Sequence, residues 1–108
     1  MGSAARRRPV RLAEKLSEAR RKLGLSQNEL IRRMGMGDEL TQAHVSLFES
    51  GSRVPSLPVL LAYAEAANVY LEVLVKDDLD LPDVIPAPAK SEGVVRSSRG
   101  AKSLKRRR

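Results

Sequence analysis

Residues 41–51, TQAHVSLFESG, divide into two faces of one short helix. Thr41 is a suitable N-cap, because its hydroxyl can accept an orphan backbone N–H of the first turn. Leu40 and Val45 have the spacing of a hydrophobic staple around that cap. Gly51 can take the left-handed conformation that ends a helix. At about 3.6 residues per turn, Val45, Phe48 and Glu49 share one side. Gln42, Ala43, Ser46, Leu47 and Ser50 share the other. That second face carries no formal charge and is built of small or amide side chains plus one leucine. Such a face can enter a groove closely and touch adenine edges or thymine methyls. Taken alone, the stretch reads equally as an ordinary short surface helix.

Moving outward, Leu25 to Met34 forms the preceding helix. Ser26 and Glu29 make an S-x-x-E capping box, with Leu25 and Leu30 as its staple. Leu30, Ile31 and Met34 supply its buried face. The link to the central helix is GMGDEL, residues 35–40, with two glycines and two acids. A first helix over Val10 to Leu23 carries an apolar stripe of Leu12, Leu16, Ala19 and Leu23 and stops at Gly24. Only Gly24 and Leu25 separate it from the Ser26 cap, so the two helices must turn sharply. After an extended link at 52–55, Ser56 is expected to cap a fourth helix running to about Ala67. Pro58 is tolerated in its first turn, where the missing N–H is an orphan anyway. Tyr70 to Val75 reads as a short fifth helix with Leu71, Leu74 and Val75. Tyr63 and Tyr70 are expected in the core or at a dimer surface. The predicted fold class is all-α, five helices without a sheet.

The chain has 108 residues, 42% hydrophobic and only 3% aromatic, so its core must be aliphatic, which suits packed helices. Without cysteine there is no disulfide, no thiolate metal site and no cysteine nucleophile. No apolar run approaches the roughly 18 residues of a membrane span, and a cytoplasmic setting is expected. The formal charge of +7 is unevenly placed. Residues 1–11 carry +4, residues 12–89 carry −4 and residues 90–108 carry +7. The division read from this is a basic arm (1–9), a helical domain (10–76), a Pro/Asp linker (77–89) and a disordered basic tail (90–108). Basic tails point to a polyanion, nucleic acid first.

Together, GLSQNEL, VSLFESG and PSLPVLLAYAEAANVYLEVL closely resemble the helix-turn-helix family of phage repressor and Cro proteins, also called the xenobiotic-response-element (XRE) type. The resemblance covers about residues 10–76 and touches every helix. It implies a sequence-specific, double-stranded DNA-binding regulator, probable role repression, reading the major groove with helix 41–50. By the same resemblance, Gln27 contacts a phosphate beside the reading helix. Thr41, Gln42, Ala43, His44 and Leu47 occupy positions that read bases or adjoining backbone, and Ser46 matches the polar residue of that helix. Arg53 lies in a phosphate-binding loop, and Glu49 pairs with Arg20 of the first helix. The link at 35–40 is several residues longer than the family's usual one. Its Asp38 and Glu39 are repelled by phosphates, so either they point away from DNA or the domain docks differently.

Gln42 suits a bidentate contact to adenine. Ala43 and Leu47, one turn apart, read equally as a methyl-binding strip or a contact with a protein partner. His44 is the sole histidine, and without a neighbouring histidine or cysteine it makes a poor metal ligand. No cofactor is expected, and an enzyme is not: there is no glycine-rich phosphate loop and no histidine–nucleophile pairing. Two alternatives stand beside the regulator. One is the antitoxin of a toxin–antitoxin pair; the other is a protein-binding adaptor that kept the fold. A homodimer on DNA is expected, because one helix reads few base pairs and two half-sites double the specification. The apolar stretch Val69 to Val75 is the candidate dimer surface. Arg6, Arg7, Arg8 and Lys105 to Arg108 are expected to add affinity without sequence preference.

Overall fold

The computed structural model describes residues 9–96; the basic stretches 1–8 and 97–108, to which the arm and tail readings apply, lie outside the described residues. Five helices are present: α1 (Leu12–Leu23), α2 (Gln27–Arg33), α3 (Gln42–Ser50), α4 (Leu57–Ala67) and α5 (Leu71–Val75). Two short strands follow, β1 (Leu79–Asp80) and β2 (Val95–Arg96), separated by a 3-10 turn at Lys90–Gly93. The strands pair antiparallel, Leu79 opposite Arg96 and Asp80 opposite Val95. The fold is therefore mostly helical, with a minimal ribbon where no sheet was expected.

The helix ends follow local chemistry. Ser26 Oγ accepts the Glu29 N–H at 3.1 Å, and Glu29 Oε1 accepts the Ser26 N–H at 2.7 Å. Those bonds to Ser26 hold the Glu29 carboxyl below its ordinary pKa. Ser56 takes the extended N-cap conformation of α4 without a side-chain hydrogen bond, so that helix starts on backbone geometry and Pro58 instead of a hydroxyl cap. Between α2 and α3, the Met36 carbonyl accepts the N–H groups of Glu39 and Leu40 at 3.0 and 2.9 Å. This makes 35–40 an ordered turn, with Met36 packed against the core and Asp38 and Glu39 exposed.

The core joins Leu12, Leu16 and Ala19 of α1 to Leu30, Ile31, Val45, Phe48, Leu60, Tyr63 and Ala64. Burying a Leu, Ile or Phe side chain contributes about 1.5–3 kcal/mol. Tyr63 is buried, whereas Tyr70 is 46% exposed.

Residues 77–89 do not extend away as a linker. Leu79, Leu81, Ile85 and Ala87 are all buried in the same core. Their spacing of two residues places alternate side chains inward along an extended backbone. Prolines and aspartates fill the positions between and lower the mean apolar content that had suggested a linker. Hydrogen bonds fix this strap at both ends. Asp77 Oδ2 and Oδ1 accept the backbone N–H groups of Val10 and Arg11, each at 3.0 Å, and so cap α1 from 66 residues away. That cap is why α1 begins at Leu12 and not at Val10. Further along, Ala87 N–H donates to the Ala67 carbonyl at 3.0 Å, and Asn68 Nδ2 donates to the Ala87 carbonyl at 2.6 Å. The first part of the presumed tail also belongs to the fold. A Cβ at Gly93 would lie 3.1 Å from Val69 Cγ1 and 3.3 Å from Ala87 Cβ, a close approach only glycine permits.

The strap also changes the reading of the fifth helix. Val69, Val73 and Leu74 are at most 1% exposed, and Gly93, Ala87 and Leu79 lie in the same cluster. The apolar excess of Val69 to Val75 is covered by the chain itself, not left for a dimer partner. Lys15 accompanies this arrangement: it is 1% exposed, and its Nζ donates to the carbonyls of Val73 and Lys76 at 2.8 and 2.7 Å. A cation there suits the C-terminal carbonyls of α5, while burial pulls its pKa down.

Candidate nucleic-acid interface

Val45 and Phe48 bury the inner face of α3, which leaves Gln42, Ala43, Ser46, Leu47 and Ser50 exposed on the outer one. The helix is capped reciprocally. Thr41 Oγ1 accepts the His44 N–H at 3.4 Å, and His44 Nδ1 accepts the Thr41 N–H at 3.0 Å. A histidine thus does the work an acid does in the usual capping box. An accepting Nδ1 places the ring proton on Nε2, a donor at the rim of the exposed face. Because the cap is neutral, no carboxylate stands in the first turn of α3, where it would repel a phosphate.

Four side chains set the position of α3 against the rest of the domain. Arg20 Nε donates to Glu49 Oε2 at 2.6 Å and Nη2 to Glu49 Oε1 at 3.0 Å, a two-point pair between α1 and α3. Its Nη1 donates to the Leu25 carbonyl at 3.0 Å, which ties in the turn before α2. Gln27 at the start of α2 donates from Nε2 to Glu49 Oε1 at 3.3 Å and accepts from Ser46 Oγ at 3.1 Å. Bonding to Glu49 holds the Arg20 pKa up. Two charge-assisted bonds in a partly buried setting are stronger than neutral ones. The network fixes the angle between α2 and α3, the geometry on which helix-turn-helix docking depends.

The sequence-derived site residues do not all stand alike. Gln42, Ala43 and Leu47 are exposed and make no side-chain hydrogen bond among the described residues. Ser46 is exposed but bonded to Gln27, and Gln27 is half-buried with its amide engaged on both sides. Thr41 and His44 are joined in the cap. The Arg53 side chain is exposed, and its backbone N–H donates to the Leu47 carbonyl at 3.2 Å, which anchors this cation to the end of α3. Sequence reasoning left out Ser52, whose hydroxyl meets Ser50 Oγ at 3.0 Å beside Arg53. The run Ser50, Gly51, Ser52 at a helix end was the available signal.

Arg11 and Lys15 were missed as positioning residues. Arg11 pairs with Asp80 and donates to the Asp77 carbonyl at 2.8 Å, while Lys15 bonds the end of α5. Lys15 lies three residues after Leu12, on the apolar stripe itself, and that placement signalled its burial. No helix among the described residues is long and apolar enough to cross a membrane.

The helix-turn-helix family model HTH_3 matches residues 16–74, more than half of the chain, and takes in α1 to α5 up to Leu74. No curated protein and no solved structure matches the chain. The profile match, the two-helix geometry and the outward face of α3 agree, and the chain belongs to the XRE-type helix-turn-helix family of DNA-binding regulators.

Proposed function

We propose that this protein is a sequence-specific, double-stranded DNA-binding transcriptional repressor that lays α3 in the major groove. The observation that carries the reading is the uncharged, exposed face of Gln42, Ala43, Ser46 and Leu47 on a helix held by the Arg20–Glu49–Gln27 network. Gln42, in the first turn, has its amide free to bond the N6 and N7 edge of an adenine. Ala43 and Leu47 offer methyl contacts to thymine. Arg53 and the Nε2–H of His44 stand at opposite ends of α3, suited to phosphates on either side of the groove. The Gln27 amide is committed within the domain; its role is to hold α3, and its backbone N–H at the start of α2 is the group suited to a phosphate. Repression follows from occupancy, since a domain seated in the groove excludes other proteins from the same duplex.

Two copies on neighbouring half-sites would supply the specificity one helix lacks, in the cytoplasm where an operator is accessible. The antitoxin alternative draws less support, because the apolar residues of 79–87 are engaged in cis. Selection of bound sites from a randomised duplex pool tests the proposal. Enrichment of one motif is expected; a pool that stays random after several rounds would favour the adaptor reading.

A further inference from the structure

The helix α4, LPVLLAYAEAA, has one charged residue in eleven and buries only part of its surface. Val59, Leu60, Tyr63, Ala64 and Ala67 face the core, yet Leu57 is 57% and Leu61 45% exposed. A helix that is apolar all round belongs in an interior, so one face of α4 lacks the neighbour its composition calls for. Beside Leu61 runs an open groove of about 450 Å³, lined by Arg33, Met34, Pro58, Ala62, Glu65 and Ala66. Its floor is apolar, with small alanines that allow close approach of another helix. Its polar lining is one cation and one anion, Arg33 and Glu65. Neither forms an intramolecular salt bridge among the described residues.

We propose that this groove is the contact surface for a second copy of the same chain, with α4 packed on α4 across a two-fold axis near Leu61. A two-fold interface requires a self-complementary patch, in which each cross-pair occurs twice. The α4 face meets that requirement, since Leu61 can meet its own counterpart while Arg33 of each copy faces Glu65 of the other. Other partners would not need both charges in one groove. The face of α5 is closed to this role by the strap, which leaves the α4 face as the unpartnered helical surface. The inference deepens the two-copy reading above, and it is tested without DNA, so that its failure leaves base reading by α3 untouched.

The full chain contains no cysteine, so a single introduced thiol reports on its own surroundings. Leu61→Cys should form a disulfide-linked dimer under mild oxidation, since thiols at a two-fold axis come within bridging reach. Glu72→Cys, exposed on α5, should remain monomeric under the same conditions. In sedimentation equilibrium, Arg33→Glu and Glu65→Arg should each weaken the dimer by about tenfold, because each reversal acts twice. The double swap should restore it. Circular dichroism confirms that each variant is folded; Leu61, Arg33 and Glu65 are exposed, so helix content should not change. Equal cross-linking at positions 61 and 72, a wild-type chain that stays monomeric at high micromolar concentration, or a double swap no tighter than the single reversals would each overturn the proposal.

Discussion

Arg20 and Glu49, 29 residues apart, meet through two parallel hydrogen bonds of 2.6 and 3.0 Å and lock α1 to α3. Their side chains are only 17% and 10% exposed, so removal of one partner leaves a partly buried charge without its counter-ion. Glu49→Ala should cost about 3 kcal/mol of stability. The double variant Arg20→Met, Glu49→Leu should recover most of that loss, since apolar replacements remove both desolvation penalties. It should not recover DNA affinity, because Gln27 would lose its Glu49 partner. Chemical denaturation and a binding titration on the same variants check both halves; equal recovery of stability and affinity would contradict this role for the network.

The Asp77 cap makes a pH-dependent contribution with a definite sign. Hydrogen bonds from the Arg11 and Val10 backbone N–H groups hold its carboxyl below the ordinary aspartate value. A depressed folded-state pKa stabilises above the unfolded value and is lost as pH falls through the folded one. Stability should therefore fall between about pH 4 and pH 2, with exchange protection at Val10 and Arg11 lost first. Asp77→Asn should be less stable at neutral pH and should flatten this part of the profile. An unchanged acid slope in the variant would count against the cap.

Gly93 tests the strap. Gly93→Val should displace 90–96, because the added atoms meet Val69 and Ala87 at separations already short for the Cβ alone. Overpacking of this kind costs about 1–3 kcal/mol. Hydrogen exchange should rise at Val95 and at the Ala87 amide, while α2 and α3 keep their protection. Uniform exchange throughout the chain would show that the strap and the helices unfold together.

Tyr63 gives a stability prediction of opposite direction. Its hydroxyl is buried without a hydrogen-bond partner among the described residues, and burial pushes its pKa up. Tyr63→Phe keeps the ring and removes the unpaired group, so stability should stay level or rise by about 1 kcal/mol. A loss larger than that, measured by thermal unfolding, would mean the hydroxyl has a partner in solution.

The five helices were legible because each carried a local signal: the Ser26–Glu29 box, the Thr41 cap, Gly24 and Gly51 at helix ends, and stripes such as Leu12, Leu16 and Ala19. The strap was not. Leu79, Leu81, Ile85 and Ala87 alternate correctly for an extended, half-buried chain, but intervening Asp and Pro residues hide that pattern from composition. Its partners, Arg11, Lys15 and Asn68, lie 19 or more residues away, and no local rule joins them. The outer face of α3 was legible from periodicity alone. The commitment of Gln27 to Glu49 and Ser46 was not, because an amide at a helix start reads the same whether it faces a phosphate or a neighbouring helix.

Base reading by Gln42 is the central claim, and a paired titration tests it most directly. Wild type and Gln42→Ala would be measured on the selected duplex and on a random duplex over a range of salt. The variant is expected to lose roughly 1–3 kcal/mol on the selected site, with random DNA nearly unaffected and the slope of log K against log salt unchanged. An equal loss on both duplexes, or no loss on either, would contradict the assignment of α3 as the reading helix.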